Sequence, residues 1–384
     1  MRLLIHGGTV LREGRLERAD ILCEDDRIAG IGAFAEHARC DERLDAHGHT
    51  VLPGFVDGHI HGAAGGLAGD LDGIRAMSAM LAAHGVTAFL PTLASETPED
   101  TREGLKSIAQ SMQESLPGAR VLGAHMEGPF LAVNCKGAMD ERNFLAPTVE
   151  NWNRLTGDWA PVVRRMTLDP AQPGALEFIG WLTAQGVSVS IGHSEASAAT
   201  VAAALSAGAR SVTHLFNAMP SLHHRNPGVI GAALSDPRAV VELIADFVHV
   251  DPVALKVAMA AKGADGVMLV SDALQAAGMP DGDYALGGVT VYVRDGVARI
   301  AAGNLAGSTL LLDRAVRNVT SLGHSLPDAA AMASAVPCRV CGATDRGRIA
   351  VGLCADFALL DGDLQVAATV VGGIPVYRRE GSRL

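Results

Sequence analysis

The 384-residue chain is poor in aromatic residues, with Phe, Trp and Tyr together at 4%. Any large core must therefore be built from Ala, Val, Leu and Ile. Hydrophobic residues reach 48% against 19% charged, and mean hydropathy is +0.22; this excludes a disordered or fibrous chain. No apolar run approaches the roughly 20 residues that span a bilayer, so a membrane is not an expected partner. There is no basic tract and the net charge is -11, so nucleic acid is not expected either. The opening MRLLIHGGTVL lacks the long apolar stretch and small-residue cleavage site of a signal peptide, and the expected location is cytoplasmic. Of six cysteines only Cys338 and Cys341 form a CxxC, with no second pair to complete a zinc set. Buried, reduced thiols are the expectation. No glycine fingerprint for a dinucleotide follows the early strands, and Gly62 to Gly69 has no lysine for a phosphate loop.

What is present is an alternation of short apolar runs with helix-patterned segments. The length suits one large α/β barrel with a minor domain, or two mid-sized domains. Apolar runs at Leu3 to Ile5, Ile21 to Cys23 and Ile28 to Ile31 are separated by turn residues, and Asp356 to Leu360, Gln365 to Val371 and Pro375 to Tyr377 look similar. Two strand-rich ends predict one small β-sandwich domain built from both termini, residues 1–53 and 344–384, around a middle of 54–343. In that middle, Val86 to Leu90, Val121 to His125, Val187 to Ile191, Ser211 to His214, Val240 to Ile244 and Val267 to Val270 are short and apolar, as parallel strands buried on both faces are. Leu71 to His84 and Ala196 to Ala207 carry helical spacing, the second expected to start at Ser194 as its cap. Repeated strand-helix units leave a doubly wound sheet or a (β/α)8 barrel.

The polar residues decide between them. His59 and His61, Glu127, His193, His214, His249 and Asp272 each close an apolar run. Barrel chemistry gathers at the C-terminal ends of several strands, and these endings would converge at one mouth, so the (β/α)8 TIM-type barrel is the expected fold. His59 and His61 stand at i and i+2, which on a strand share a face and can reach one cation. HxH alone is a weak signal; LPGFVDGHIHG is stronger, because Pro53-Gly54 ends one element just before the strand. Glu127 can bridge two cations, whereas His125 beside it is expected to be a structural, hydrogen-bonded histidine. Nitrogen and oxygen donors without thiolate suit Zn or Fe(II). Asp272 beside a metal-activated water is a natural proton shuttle. The residues by themselves thus point to metal-assisted hydrolysis of an amide or similar bond, with the acyl substrate left open.

The segments LPGFVDGHIHG, HMEGPF, GHS, THLFNAMPSLHHRNPGVIGA, ADFVHVD, LVSDA and NLAGSTLLLDRAVRN resemble the amidohydrolase superfamily and, within it, the N-acetylglucosamine-6-phosphate deacetylases. THLFNAMP followed by HHR is specific to the deacetylases. The resemblance implies an amidohydrolase-type barrel and one or two divalent ions per subunit. Glu127, His193 and His214 would hold one ion, His59 and His61 a second with Asp272 beside it, and Glu127 would bridge. Asp272 would move the proton from the attacking water to the leaving amine, and His249 would contact the sugar and the polarised carbonyl. Asn217 and Ala218 would serve the phosphate, Ala138 would line the substrate loop, and Leu305, Ala306 and Gly307 would lie against the acetyl group. Arg225 would reach the phosphate from the other subunit of a homodimer; an arginine fork matches phosphate geometry. The implied substrate is an amino-sugar phosphate.

Two positions depart from the pattern. Met139 stands where the family has a histidine that touches the substrate, and Asn226 replaces a glutamate after the arginine. The sugar epimer and the need for a phosphate therefore stay open, as does an N-acyl amino acid or cyclic amide. A catalytically silent barrel that only senses amino sugars would be expected to have lost ligands or the acid, and none is lost here. Cys135, on the same loop, is expected to fill space, and Tyr284 to Ala298 reads as a hairpin, a lid or an arm.

Overall fold

The computed structural model describes residues 1–34, 39–286, 289–382 and 384. Eight short strands run Phe55–Ile60 (β1), Val86–Leu93 (β2), Ala124–Glu127 (β3), Val163–Leu168 (β4), Ser188–Ile191 (β5), Ser211–Val212 (β6), Val240–Leu243 (β7) and Val267–Leu269 (β8). Each pairs in parallel with its neighbours in sequence. The gap between β8 and β1 is bridged just beyond β8, where the Asp272 amide donates to His59 O at 2.9 Å and the His61 amide to Ala273 O at 2.8 Å. A helix follows each strand, from Leu71–Ala83 after β1 to Leu312–Ser321 after β8. This is the expected (β/α)8 barrel. The strands are buried along almost their whole length because helices cover the outside while the strands' own side chains fill the inside.

Three local expectations shift. The run at Val121 to His125 is divided: Arg120–Val121 pairs with β2, and β3 begins at Ala124. β4 was not among the expected strands, since Arg164 and Arg165 interrupt its apolar pattern; Arg164 is exposed and Arg165 is fully buried inside the barrel. The helix read from Ala196 begins at Ala198, capped by Ser197, whose hydroxyl accepts from the Thr200 amide at 3.1 Å. Ser194 is turned inward, donating to the buried Asp169 carboxylate.

Strands from both chain ends form the second unit. Thr50–Pro53 pairs antiparallel with Phe357–Leu360, which joins the N-terminal strands Arg2–Arg12, Arg15–Glu24, Arg27–Gly32 and Glu42–Asp45 to Val366–Val371 and Ile374–Arg378. The hydrogen bonds make one sheet, and Leu3, Ile5, Ile21, Phe357, Leu359 and Val370 meet in one core. The alternate residues Ala358 and Leu360 belong to the barrel's core instead. The period-2 alternation of a strand thus ties the two units together, and Thr369 Oγ1 adds a buried hydrogen bond to Ala82 O at 2.6 Å. After β8 the chain forms a three-stranded antiparallel sheet, Gly282–Leu286, Val289–Arg294 and Val297–Ile300, with the expected hairpin inside it; positions 287 and 288 of that hairpin lie outside the described residues. Val291, Val293 and Ala298 pack on Leu274, Ala276 and Ala306, with Ala138 against them. Among the described residues no helix is long and apolar enough to cross a membrane.

Gly62, directly after the His59–His61 pair, lies where this closure brings backbone against backbone. A Cβ there would lie 2.5 Å from Gly66 O and 2.7 Å from the Gln275 amide, backbone on both sides. Gly62→Ala is expected to destabilise the protein by about 1–3 kcal/mol, read as a lower urea midpoint. An unchanged midpoint would mean that β1 and the segment after β8 do not approach this closely.

Candidate metal centre and active site

Asp57 and His59 on β1 and His61 just past its end are spaced by two, the spacing that puts side chains on one face of an extended chain, and all are buried. Glu127 ends β3. His193, His214 and Asp272 follow β5, β6 and β8, each with a left-handed backbone, at φ of 49°, 29° and 48°. Non-glycine residues in that region cost of order 1–3 kcal/mol each. Here the turn redirects each side chain from the strand into the barrel mouth.

The donor atoms converge on Glu127. Its Oε1 lies 3.1 Å from His193 Nε2 and 3.0 Å from His214 Nε2; its Oε2 lies 3.0 Å from His61 Nε2 and 3.4 Å from His59 Nε2. Asp272 Oδ1 is 3.4 Å from His59 Nε2 and 3.3 Å from His61 Nε2. Two compact sets result, His59–His61–Asp272 and Glu127–His193–His214, each with ligand atoms within 4.8 Å of one another. The chemistry of these atoms fits a divalent metal. Nε2 atoms face each other at 3.3 Å in one set and 3.1 Å in the other, a distance at which two imidazoles are served better by a cation between them than by each other. Three rings are also fixed from behind: His59 Nδ1 by Glu242 Oε2 at 3.1 Å, His61 Nδ1 by Thr92 O at 3.1 Å, and His193 Nδ1 by Cys135 O at 2.7 Å. A ring that donates through Nδ1 keeps its Nε2 lone pair for a metal.

The charges are mutually dependent. Burial opposes ionisation of Glu127, but the charge of His59 and hydrogen bonds from His193, His214 and His59 hold its carboxyl well below the usual range. Burial likewise pulls the His61 imidazole down, and the Asp272 and Glu127 carboxylates overcome it, raising it to about 9. His125 behaves oppositely: burial, with Arg165 and His59 nearby, pushes it well below its usual value. It bonds Thr167 Oγ1 at 2.8 Å and Thr92 Oγ1 at 3.2 Å, the structural histidine anticipated from sequence.

Above the two sets opens a cavity of about 620 Å³, within the range of small-ligand sites. His61, Glu127, His193, His214 and Asp272 form its floor; Ala138, Asn217, Ala218, His249, Leu305, Ala306 and Gly307 line it, as do Cys135 and Met139. His249 is oriented by Asp246, whose Oδ2 lies 2.7 Å from His249 Nδ1. Cys135 is buried, and burial first, with Glu195 and Asp169 adding to it, lifts its thiol to about 11; its carbonyl accepts from the His193 ring. Arg225 is not among the lining residues. It is exposed, with Nη1 2.8 Å from His224 Nε2.

A sequence profile of the amidohydrolase family matches residues 50–376. The chain belongs to the amidohydrolase family. It is 34% identical over 380 residues to N-acetylglucosamine-6-phosphate deacetylase of Lysinibacillus sphaericus, covering 97% of each chain. It is 39% identical over 365 residues to N-acetylgalactosamine-6-phosphate deacetylase of Escherichia coli O157:H7, covering 94% of this chain and 95% of that one. Its fold matches that of a mutant N-acetyl-D-glucosamine-6-phosphate deacetylase of Mycobacterium smegmatis, solved in complex with N-acetyl-D-glucosamine-6-phosphate. The TM-score is 0.91 at 34% identity, covering 98% of this chain and 99% of that one. The resemblance drawn from the motifs therefore extends over nearly the whole amidohydrolase chain and over its fold.

Several residues that shape this amidohydrolase site carried no sequence motif. Glu242 lies in the middle of the apolar run VVELI and Arg165 in VRRMTL, yet both are fully buried beside the ligands. A charge inside an otherwise apolar barrel strand was the signal available for each. Burial opposes the charge of Glu242 too, and Arg165 first and His59 second bring its carboxyl down to about 2. Asp57 is buried without such a cation, and burial raises it to about 6.

These shifts set a pH dependence for metal-free protein. His61 is raised from 6.5 to about 9, so its contribution to stability is complete below the lower value and lost as pH rises through the higher one. Glu127 is depressed from 4.5, so its contribution is present above that value and lost as pH falls further. The Tm of metal-free protein is expected to fall as pH rises from about 6.5 to 9, while metal-loaded protein, which needs unprotonated rings, does not follow it. Differential scanning calorimetry of both forms checks this; parallel profiles would mean that the rings do not hold these protons.

Proposed function

We propose that this amidohydrolase hydrolyses the acetamide of an N-acetyl amino-sugar 6-phosphate, N-acetyl-D-glucosamine 6-phosphate first among them, giving acetate and the amino-sugar 6-phosphate. The observation that carries the reading is Glu127, with one oxygen toward His193 and His214 and the other toward His59 and His61, at the floor of a sugar-sized cavity. Glu127, His193 and His214 would hold one divalent ion, and His59, His61 and Asp272 would hold a second; Zn or Fe(II) suits this donor set. When bound, the metal polarises the amide carbonyl and lowers the pKa of water toward 7. Asp272 takes the proton of the attacking water and returns it to the leaving nitrogen. Its side chain lies at the cavity floor, and its carboxyl is kept low against burial by His59 and His61, which leaves it a base. His249, held by Asp246, donates toward the carbonyl and the sugar. Leu305, Ala306 and Gly307 enclose the acetyl group, with Ala138 on the facing loop.

The phosphate requires a cation, and no Lys or Arg is among the described residues lining the cavity, where Glu127, Asp140, Glu195 and Asp272 supply only negative charge. Asn217 and Ala218 bring donors to that end of it. Arg225, exposed on the loop that follows Pro220, suits a homodimer in which Arg225 of the partner subunit completes the site. The same lack of cations favours an unphosphorylated amino sugar as the second reading, should the protein act without a partner. Relatives named for either epimer are comparably similar, so Met139, on the cavity wall with its sulfur 3.4 Å from the Ser95 hydroxyl, is our candidate for epimer choice.

Acetate release from N-acetylglucosamine 6-phosphate, its galactosamine epimer and unphosphorylated N-acetylglucosamine tests the reading. Turnover of a phosphorylated sugar far above the unphosphorylated one is expected; no release from any of them by metal-loaded protein overturns it. Asp272→Asn should lower kcat by about 10²–10⁴-fold with metal still bound, and full activity would remove Asp272 from the mechanism. Arg225→Ala should raise KM for the phosphorylated sugar by roughly 10–100-fold, the worth of a hydrogen bond to a charged group, and leave the unphosphorylated one unchanged.

A further inference from the structure

Two fully buried charges stand behind the candidate ligand histidines. Arg165 on β4 and Glu242 on β7 are both fully buried and form an ion pair through Arg165 Nη1 and Glu242 Oε1. Arg165 is anchored around the barrel interior, with Nη2 3.0 Å from Ser190 Oγ and 3.0 Å from Ser211 Oγ, and Nη1 3.3 Å from Gly58 O. This leaves the second oxygen of Glu242 in a fixed direction. That oxygen accepts from His59 Nδ1 at 3.1 Å and from the His214 backbone amide at 3.0 Å. One atom therefore touches a member of each candidate ligand set.

We propose that Glu242 is a positioning residue for both metal sets, aimed by Arg165. It fixes the His59 ring with its proton on Nδ1 and its Nε2 lone pair toward the ion, and it pins the left-handed turn that points His214 into the mouth. The proposal rests on the two-set metal reading above. A purely structural role explains the pair poorly. Replacing a buried ion pair by apolar residues of similar volume is often neutral or stabilising, so stability alone gives little reason for one here. The carboxylate is also divided: Oε1 goes to Arg165, and Oε2 goes to His59 and to the His214 amide, so half of it serves the candidate ligands. Outer partners of metal-bound histidines act in this way, orienting the ring and fixing its tautomer.

Two charge-neutral chains separate positioning from packing. Arg165→Met with Glu242→Gln keeps an acceptor for His59 and His214; Arg165→Met with Glu242→Leu has similar volume and no acceptor. Zn²⁺ and Co²⁺ affinities are measured by chelator competition, together with the Co²⁺ visible spectrum and circular dichroism. The Leu chain is expected to bind metal about 10–100-fold more weakly than the Gln chain, with an altered Co²⁺ spectrum, while both keep the helical signal. Equal affinities and spectra in the two chains overturn the proposal, even if their Tm values differ. An unsubstituted chain that binds neither ion removes the metal reading, and this inference with it. If the variants do not fold, ¹⁵N-histidine NMR of the unsubstituted Zn²⁺-loaded protein decides. A slowly exchanging Nδ1–H, assigned to His59 by its loss in His59→Gln, is expected, and a fast-exchanging one overturns the proposal.

Discussion

A single carboxylate, Glu127, is shared by four imidazoles, and the site depends on that sharing. Four histidines converging without it would repel as soon as any two were protonated, and the carboxylate alone would be costly to bury in an apolar barrel. Together they form an arrangement whose charges balance only when a cation or protons occupy it. The hydrogen bonds that His59, His61 and His193 donate backwards, to Glu242, Thr92 O and Cys135 O, remove the freedom that would let those three rings turn away. What remains is a floor of nitrogen and oxygen lone pairs directed at two adjacent points.

The barrel makes this convergence feasible. Parallel strands all end at the same mouth, so residues far apart in sequence, from His59 to Asp272, become neighbours without any long loop. The left-handed turns at His193, His214 and Asp272 are the local strain that accompanies this geometry. Backbone hydrogen bonds hold them, including the Asp272 amide to His59 O, which also bridges β8 to β1. Closure of the barrel and aim of the acid are thus the same contact. The small sheet contributes from outside: its two-faced strand Phe357–Leu360 packs one side into its own core and the other onto the barrel.

The cavity is chemically lopsided. Its floor gathers nitrogen and oxygen donors, its wall at Leu305, Ala306 and Gly307 is apolar, and its described lining carries no Lys or Arg. An anionic substrate in such a site needs a cation from beyond the cavity. This is why the exposed loop with His223, His224 and Arg225 belongs to the functional reading although it touches none of the ligands.

The sequence by itself determined the alternation of strand and helix, the two-terminus sheet and the candidate ligands that close the strands. Each is written in local periodicity: i and i+2 histidines on one strand face, and a polar residue closing each buried apolar run. The tertiary structure alone decided what stands behind those ligands. Arg165 hid β4 by breaking its apolar pattern, and Glu242 looked like a stray charge within β7, because a buried ion pair is recognisable only when both partners and the ring they support are in view. The division of labour between Ser194 and Ser197 was decided there too, since either could cap a helix and only the position of Asp169 sets which one turns inward. Periodicity reports which face a residue is on; partners arriving from other strands are fixed by closure of the barrel, and no local pattern carries that.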